Sequence, residues 1–335
     1  MADELKPLVV TVDELRKRAE AKQPKPLTRA QQQLLEHSIN IFGDLATKKD
    51  AAYLPRELVQ VTLPHKNPGD VQQWKRTNGN LTVGIQPGQN FTTGESYGYP
   101  YGSIPRLLLF WLTTEAVQKK SRRIELGHSL SGFMAALGLS AYTGRGKRGD
   151  AKRLRNQMDR LFNASISFVS TGERPGDELR TSWLNMHVAP KGELWWSRKD
   201  PDQTALWRSW IELGEDFYSA ITAFPVPADL RALRALKRSP LALDLYAWLS
   251  YEAYRAHNSG KSRFENWTQL HDHLGAEYSH VSDFRRYAKH ALAAIKLVYP
   301  GLKLGDRQGG IEVLPESWPA IRPRKLTIDA VCKGL

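Results

Sequence analysis

Apolar and polar positions divide the chain into stretches of different character, and the first fifty residues are mostly polar. Residues 12–21 form a charged segment that predicts a short helix. An apolar stripe from Leu34 to Phe42 predicts a second helix, which is capped by Thr28 and runs to about Leu45. This second helix either docks on the body of the protein or on a partner, or it belongs to a loosely tethered arm.

β-structure is predicted after residue 53. One strand is expected at residues 58–63. A hairpin is expected at residues 74–85 with Asn78-Gly79 at its tip, because a tight turn needs the positive φ that these residue types tolerate. Residues 87–102 are rich in Gly, Pro and Tyr, and we expect them to form a loop.

Two later stretches follow the same order of elements: a helix, a short strand, a short helix, a longer helix and a β-ribbon. In the first stretch these elements are predicted at residues 105–119, 123–126, 129–138, 150–163, and 166–170 with 183–188. In the second they are predicted at residues 241–255, 263–265, 267–275, 282–299, and 302–304 with 311–314. Leu-Gly pairs end both short helices, at Gly138 and Gly275. This order is typical of the winged helix-turn-helix.

The fold is therefore predicted to be α+β, with two tandem winged-helix (winged helix-turn-helix) domains and an N-terminal helical extension. Residues 1–50 are the extension, partly helical or disordered. Residues 51–200 form the first winged-helix-like domain and residues 201–320 the second. Residues 321–335 form a basic tail.

The net charge of +13 and the sequence pI near 9.7 indicate what kind of partner the protein binds. Such an excess of Lys and Arg attracts polyanions, of which nucleic acid is the commonest. Cys332 is the single cysteine, which excludes a disulfide framework within one chain and a Cys-based zinc site. The start of the chain lacks the design of a signal peptide, and no apolar run is long enough to cross a bilayer, so we expect a cytoplasmic protein.

The strongest candidate site is the basic segment at residues 145–160. Its helix buries an apolar stripe, and its outward face is predicted to carry side chains that match phosphates and base edges in the DNA major groove. The predicted DNA-binding residues here are Arg145, Lys147, Arg148, Lys152, Arg153, Arg155, Asn156, Gln157 and Arg160. The alternative is a solvated basic face on a packed helix.

A second basic face is predicted on the helix at residues 282–299. Its outward cations are Arg285, Arg286, Lys289 and Lys296, and Arg307 lies in the hairpin loop, where a wing reaches a phosphate. Arg and Lys dominate this face, so it suits a grip on phosphates at least as well as base reading. The alternative is a face that balances nearby acids.

A third basic cluster, at residues 231–238, either touches phosphates across the gap between the halves or is a solvated linker helix. Enzyme interpretations find little support. His271 and His273 resemble the histidine pair of nicking enzymes, but they lie on a predicted helix, where residues two apart diverge by about 200°. No phosphate-binding P-loop appears. We therefore expect a non-enzymatic protein with no cofactor and no metal.

Several long runs in the chain resemble the RepA family of plasmid-encoded replication initiators. Two of them are LPHKNPGD at residues 63–70 and KRSPLALDLY at residues 237–246. The full set lies at residues 54–59, 63–70, 74–82, 99–108, 146–148, 151–155, 160–162, 226–227, 229–233 and 237–246. The resemblance covers residues 53–319, and residues 1–50 match nothing in the family.

The resemblance implies a bacterial, cytoplasmic protein that binds repeated double-stranded sequences (iterons) at a plasmid origin. It also implies opening of AT-rich DNA, recruitment of the host replication initiator and helicase, a role in plasmid copy control, and homodimers that can form through the first domain. A transcriptional repressor without replication activity is the alternative, and a nicking enzyme is a third class. No membrane partner is expected.

Overall fold

The computed structural model describes residues 28–44, 46–127, 129–140, 149–174, 178–194, 209–275 and 278–321. The secondary structure in these ranges is mixed α+β, as predicted. The predicted helix at residues 12–21 and nearly all of the basic tail lie outside the described residues. None of the helices in these ranges is both long enough and apolar enough to span a membrane.

The helices and strands of the described ranges are numbered here in chain order. The helices are α1 Arg29–Gly43, α2 Arg56–Gln60, α3 Ser103–Lys119, α4 Leu130–Ala136, α5 Asp150–Phe162, α6 Glu215–Ala223, α7 Leu230–Leu236, α8 Pro240–Ser259, α9 Trp267–Leu274 and α10 Val281–Val298. The strands are β1 Ala51–Pro55, β2 Trp74–Asn78, β3 Leu81–Gln86, β4 Arg123–Glu125, β5 Ser165–Arg174, β6 Glu178–His187, β7 Lys191–Glu193, β8 Trp210–Glu212, β9 Pro225–Asp229, β10 Arg263–Asn266 and β11 Gly310–Val313.

The predicted hairpin and the predicted ribbon join into one antiparallel sheet with the order β2-β3-β5-β6. Gly79 turns the hairpin with a φ of 53°, which confirms the tip that the sequence predicts. Val83 pairs with Phe168 and Ile85 with Ile166, and these four apolar side chains are buried. Burial of one face of the sheet therefore sets the register between the hairpin and the ribbon.

The prediction of a strand at residues 58–63 is wrong. The strand is β1, and residues 56–60 form the short helix α2. Leu58, Val59, Val61 and Leu63 are all buried. A short run that is buried on every side fits a helix or a strand equally well, so apolar spacing did not decide between them.

Two strand pairings tie residues 210–229 to the first half of the chain, defined here as residues 51–200. β9 pairs with β1 in the register Ala51↔Asp229 to Pro55↔Pro225. β8 lies between β4 and β7. The domain boundary at residues 200/201 stays a prediction, and strands on either side of it are hydrogen-bonded to each other.

α8 is the central helix of the second half, defined here as residues 201–320. Ser239 caps it by accepting a hydrogen bond from the Ala242 amide, Pro240 occupies its first turn, and Gly260 ends it with a φ of 64°. Every residue from Leu241 to Ser250 is buried, so other parts of the protein pack around all sides of this helix. The expected hairpin at residues 302–314 forms around the bridge Leu304↔Val313, where the Gly305 amide donates to the Glu312 carbonyl and the Leu314 amide donates to the Lys303 carbonyl. The other edge of β11 pairs with β10.

The N-terminal helix α1 packs against α7 and α10. Thr28 and Gln31 form the capping box that begins it. At its other end the Arg231 guanidinium donates to the Asp44 carbonyl over 3.0 Å. Of the two alternatives that the sequence left open, the structure therefore shows docking on the body for residues 29–43.

A buried ion pair joins the two halves. The Arg106 guanidinium donates to both carboxylate oxygens of Asp244, each over 2.7 Å, and to the Leu63 carbonyl. His65 Nε2 lies 2.7 Å from the same carboxylate. A bidentate charge-assisted pair of this kind fixes direction as well as distance, so α3 and α8 are held at one orientation.

Burial opposes ionisation of Asp244, but the Arg106 guanidinium and the hydrogen bond from His65 outweigh it and lower the pKa of this carboxyl from 3.8 to about 2. A depressed pKa in the folded state stabilises the fold above the unfolded value. That stabilisation is lost as the pH falls from 3.8 towards 2.

We expect Asp244→Asn to lower the free energy of unfolding by about 3–5 kcal/mol near neutral pH, because Arg106 is then buried without its counter-charge. Urea unfolding followed by circular dichroism measures this. The gap to the wild type should narrow by about 1 kcal/mol between about pH 5 and 3. Asp306→Asn, at an exposed carboxylate, is the control and should stay within about 0.5 kcal/mol of the wild type. An equal loss in both variants would contradict the assignment.

Candidate nucleic-acid interface

α5 presents a basic face because its other face is anchored in the core. Leu154, Met158 and Leu161 are fully buried. Lys152, Arg153, Arg155 and Asn156 are exposed on the opposite side, as predicted. Three further predicted cations, Arg145, Lys147 and Arg148, lie outside the described residues.

Contacts on the surface of α5 hold some of these side chains in place. Arg153 lies 3.3 Å from Asp150, one turn earlier. Arg160 Nε donates to Asn156 Oδ1 over 2.8 Å, and Arg160 Nη1 donates to the Tyr99 carbonyl over 3.0 Å. Arg160 therefore fastens the end of the 87–102 loop to the helix, while Lys152, Arg153 and Arg155 reach into solvent.

The outward orientation predicted for Gln157 is wrong. Gln157 is only 6% exposed, and its Oε1 accepts a hydrogen bond from the Tyr101 amide over 2.9 Å. Residues 154, 157, 158 and 161 share one face of a helix, so spacing alone places Gln157 among the buried positions. Its polar identity was misleading because the partner of its side chain is a backbone amide from a distant loop.

The exposed face of α10 carries the second set of predicted cations. Phe284, Ala288 and Ile295 are buried against the core. A groove of about 220 Å³ runs between this helix and the loop before β11. The structure brings four of the predicted residues to this groove: Arg285, Lys289, Lys296 and Arg307.

Carboxylates accompany the cations of the α10 groove. Asp306 and Glu312 also line it. The Arg307 guanidinium lies over the Phe264 ring, 3.9 Å from the centroid, and the ring holds it at the edge of the groove. Arg286 does not line the groove and pairs with Asp283 at 3.0 Å.

A larger cleft of about 450 Å³ opens beside the basic face of α5. It is formed by both halves of the chain, and none of the described residues that line it is Asp or Glu. Its lining residues are His65, Tyr101, Gly102, Ser103, Ile104, Lys152, Arg153, Asn156, Gln157, Arg238 and Pro240.

The third basic cluster is mostly internal, which neither of the two sequence alternatives anticipated. Arg234 Nη2 donates to the Ala136 carbonyl over 3.3 Å, and Lys237 Nζ donates to the Gly138 carbonyl. Arg231 pairs with Asp229 at 2.8 Å. Cations at the carbonyl ends of helices complement the unpaired acceptors there, so these three residues join α7 to α4 and α1. Arg238 differs from them because it is exposed and borders the cleft.

The two histidines of α9 do not converge. His273 is buried, and its Nδ1 lies 2.9 Å from Glu265 Oε1. His271 Nε2 lies 2.8 Å from the Tyr278 carbonyl oxygen. Within the ranges that the structure describes, no group of three or more His, Cys, Asp or Glu residues is arranged to hold a metal ion.

We expect Gln157→Ala to lower the free energy of unfolding by about 1–2 kcal/mol, because the partly buried Tyr101 amide loses its acceptor. Thermal unfolding measures this. Lys152→Ala, at an exposed position five residues earlier, is the control and should stay within about 0.5 kcal/mol of the wild type. Unchanged stability in Gln157→Ala, together with lost discrimination between DNA sequences, would restore Gln157 as a base reader.

Comparisons with known proteins place the chain within a family. The family described as "Plasmid encoded RepA protein" (RepA_C) matches residues 99–270, just over half of the chain, and this match includes α5 and the start of α8. No curated protein matches the chain.

Two solved structures are similar to the chain. One is the selenomethionine derivative of domains 2 and 3 of RctB, with 11% identity and a TM-score of 0.45, covering 77% of this chain and 97% of that one. The other is RctB domains 2-3, with 12% identity and a TM-score of 0.44, covering 76% of this chain and 94% of that one. Neither TM-score is high enough to support an argument about fold. The family match spans half of the sequence, and on that basis the chain belongs to the family of plasmid-encoded RepA proteins.

Proposed function

We propose that the chain starts plasmid replication by binding repeated origin sequences (iterons) in double-stranded DNA through two winged helices, without enzymatic activity. Membership of the family of plasmid-encoded RepA proteins supports the role in replication initiation. The observation that carries the DNA-binding part is the repeated placement of a basic amphipathic helix. α5 and α10 each follow a helix, a short strand and a short helix, and each turns cations outwards.

In this proposal the exposed face of α5 enters a major groove. Arg153 and Asn156 read base edges, and Lys152 and Arg155 contact phosphates. α10 grips the backbone of a neighbouring turn, with Arg307 on the loop that acts as its wing. Carboxylates in the α10 groove weaken its attraction for DNA, so α5 contributes more of the sequence preference.

The remaining parts of the proposal rest on the family resemblance. They are the opening of AT-rich DNA, recruitment of the host initiator and helicase, copy control, homodimers formed through the first half, and action in the bacterial cytoplasm. The decisive experiment is a plasmid that carries the origin and this gene but no other initiator. We expect it to replicate. Loss of the plasmid, together with normal binding to the origin, would favour a transcriptional repressor.

Removal of the second half is a poor test of a two-helix contact. Such a truncation breaks the β1–β9 pairing and deletes Asp244, the partner of Arg106. The truncated chain would fail for lack of a stable fold. Substitutions on the exposed helix faces avoid this problem.

We expect Lys152→Gln to weaken binding to all duplexes and to lower the slope of log K against log[salt] by about one unit, as for the loss of one phosphate contact. Arg285→Gln combined with Lys289→Gln should lower it by about two units. Fluorescence anisotropy at several salt concentrations measures the slope. Lys119→Gln, at the far end of α3 about 24 Å from its start, is the control and should leave the slope unchanged. A double variant with the slope of the wild type would exclude α10 from the interface.

Base reading by α5 predicts a loss of affinity that depends on the DNA sequence, unlike the loss of a phosphate contact. Arg153→Ala should cost about 1–3 kcal/mol on the origin repeat and much less on random duplex of the same length. Competition binding against both duplexes measures the difference. Equal losses on the two DNAs would reassign Arg153 to a phosphate contact. A DNase I footprint of the wild type should cover at least one full helical turn.

A further inference from the structure

The cleft beside α5 has walls from both halves of the chain. α5 supplies Lys152, Arg153 and Asn156, and the start of α3 supplies Gly102 and Ser103. The second half supplies Arg238 and Pro240 at the start of α8. The buried Arg106–Asp244 pair joins α3 to α8 and therefore holds the starts of these two helices side by side.

Charges of one sign converge on this cleft. Three cationic side chains, Lys152, Arg153 and Arg238, line it, and none of the described lining residues is a carboxylate. Arg153 pairs with Asp150 at 3.3 Å, so the excess positive charge comes mainly from Lys152 and Arg238. Two long helices also begin there, α3 with 17 residues and α8 with 20 residues. The N-terminus of a helix carries a partial positive charge, which favours an anion. At α8 the helix dipole contributes more than free amides, because Pro240 has no N–H and the Ser239 hydroxyl accepts a hydrogen bond from the Ala242 amide. Gly102, at the start of α3, has no side chain with which to cap that helix.

Among the described residues that line this cleft, Arg238 is the only cation from the second half. Its Nη2 donates to Gln33 Oε1 over 3.2 Å, so the partner is a neutral amide on α1. The other three cations of its cluster, Arg231, Arg234 and Lys237, are bonded to carbonyl or carboxylate oxygens within the fold. Among the described residues, the only hydrogen-bond partner of Arg238 is this neutral amide, whereas each of its three neighbours bonds to a backbone carbonyl or carboxylate oxygen.

We infer that this cleft is a binding site for a phosphate of the DNA backbone, built jointly by α5 and by Arg238 with the starts of α3 and α8. The inference rests on the proposed function, in which α5 faces DNA. It adds a second-half residue, Arg238, to the surface that positions the reading helix of the first half. A phosphate in the cleft fixes the angle at which α5 enters the groove, because contacts with the backbone set orientation and register.

The test compares four proteins on the origin duplex by fluorescence anisotropy at several salt concentrations. Arg238→Gln should lower the slope of log K against log[salt] by about one unit, and should weaken binding roughly 5- to 10-fold near 0.1 M salt. Arg238→Lys keeps the charge and should keep the slope. Gln33→Ala removes the contact with α1 but leaves the charge, and it should bind like the wild type. Loss of affinity in Gln33→Ala equal to that in Arg238→Gln would reduce Arg238 to an anchor for α1 and overturn the inference.

Further arms separate the possible failures. If Lys152→Gln lowers the slope and Arg238→Gln does not, this inference fails while the proposed function stands. If the wild type shows no binding to origin DNA, the proposed function fails as well. Inorganic phosphate, added at constant ionic strength, tests for a site that takes free anions. Thermal stabilisation by millimolar phosphate that Arg238→Gln abolishes, with an unchanged DNA slope, would make the cleft a free-phosphate site and overturn the assignment to DNA.

Discussion

The bidentate contact between Arg106 and Asp244 is the interaction on which the arrangement of the two halves depends. The two residues are 138 positions apart in the chain, and both side chains are buried. Arg106 also donates to the carbonyls of Leu63, Pro64 and Gly102. One guanidinium is therefore bonded to residues 63–64, to the start of α3 and to α8. Such a buried cation is tolerated only where its charge and its donors are satisfied together. The position of α8 relative to α3, and therefore the shape of the cleft beside α5, follows from this requirement.

The basic residues of the chain have two physical roles, and the net charge does not distinguish them. Four of them form hydrogen bonds within the fold, to backbone carbonyls or to a carboxylate: Arg160, Arg231, Arg234 and Lys237. Lys152 and Arg155 lie on the outer face of α5 and are exposed. Only cations of this second kind are available to displace counterions from DNA. The charge excess indicated the class of partner, but the number of phosphates contacted depends on which cations the fold leaves on its surface.

The two basic helices have different surroundings. The groove at α10 contains Asp306 and Glu312 beside its cations, whereas the described residues that line the cleft at α5 include no carboxylate. The side chains agree with this contrast, because α5 offers Arg and Asn, which match base edges, and α10 offers mainly Arg and Lys. In the proposed function, this asymmetry makes α5 the helix that reads the sequence and α10 the helix that holds the duplex.

Local patterns in the sequence were sufficient for features that depend on near neighbours. They include the Asn78-Gly79 hairpin, the Thr28 cap and the buried stripe of α5, because turns, caps and helix faces are set by residues a few positions apart. The tertiary structure alone decided the β1–β9 pairing and the joining of the hairpin to the ribbon. It also decided the burial of Gln157 under Tyr101 and the capping by residues 231–237. Each of these contacts joins segments that are more than fifty residues apart, and no local period in the sequence encodes such a partner.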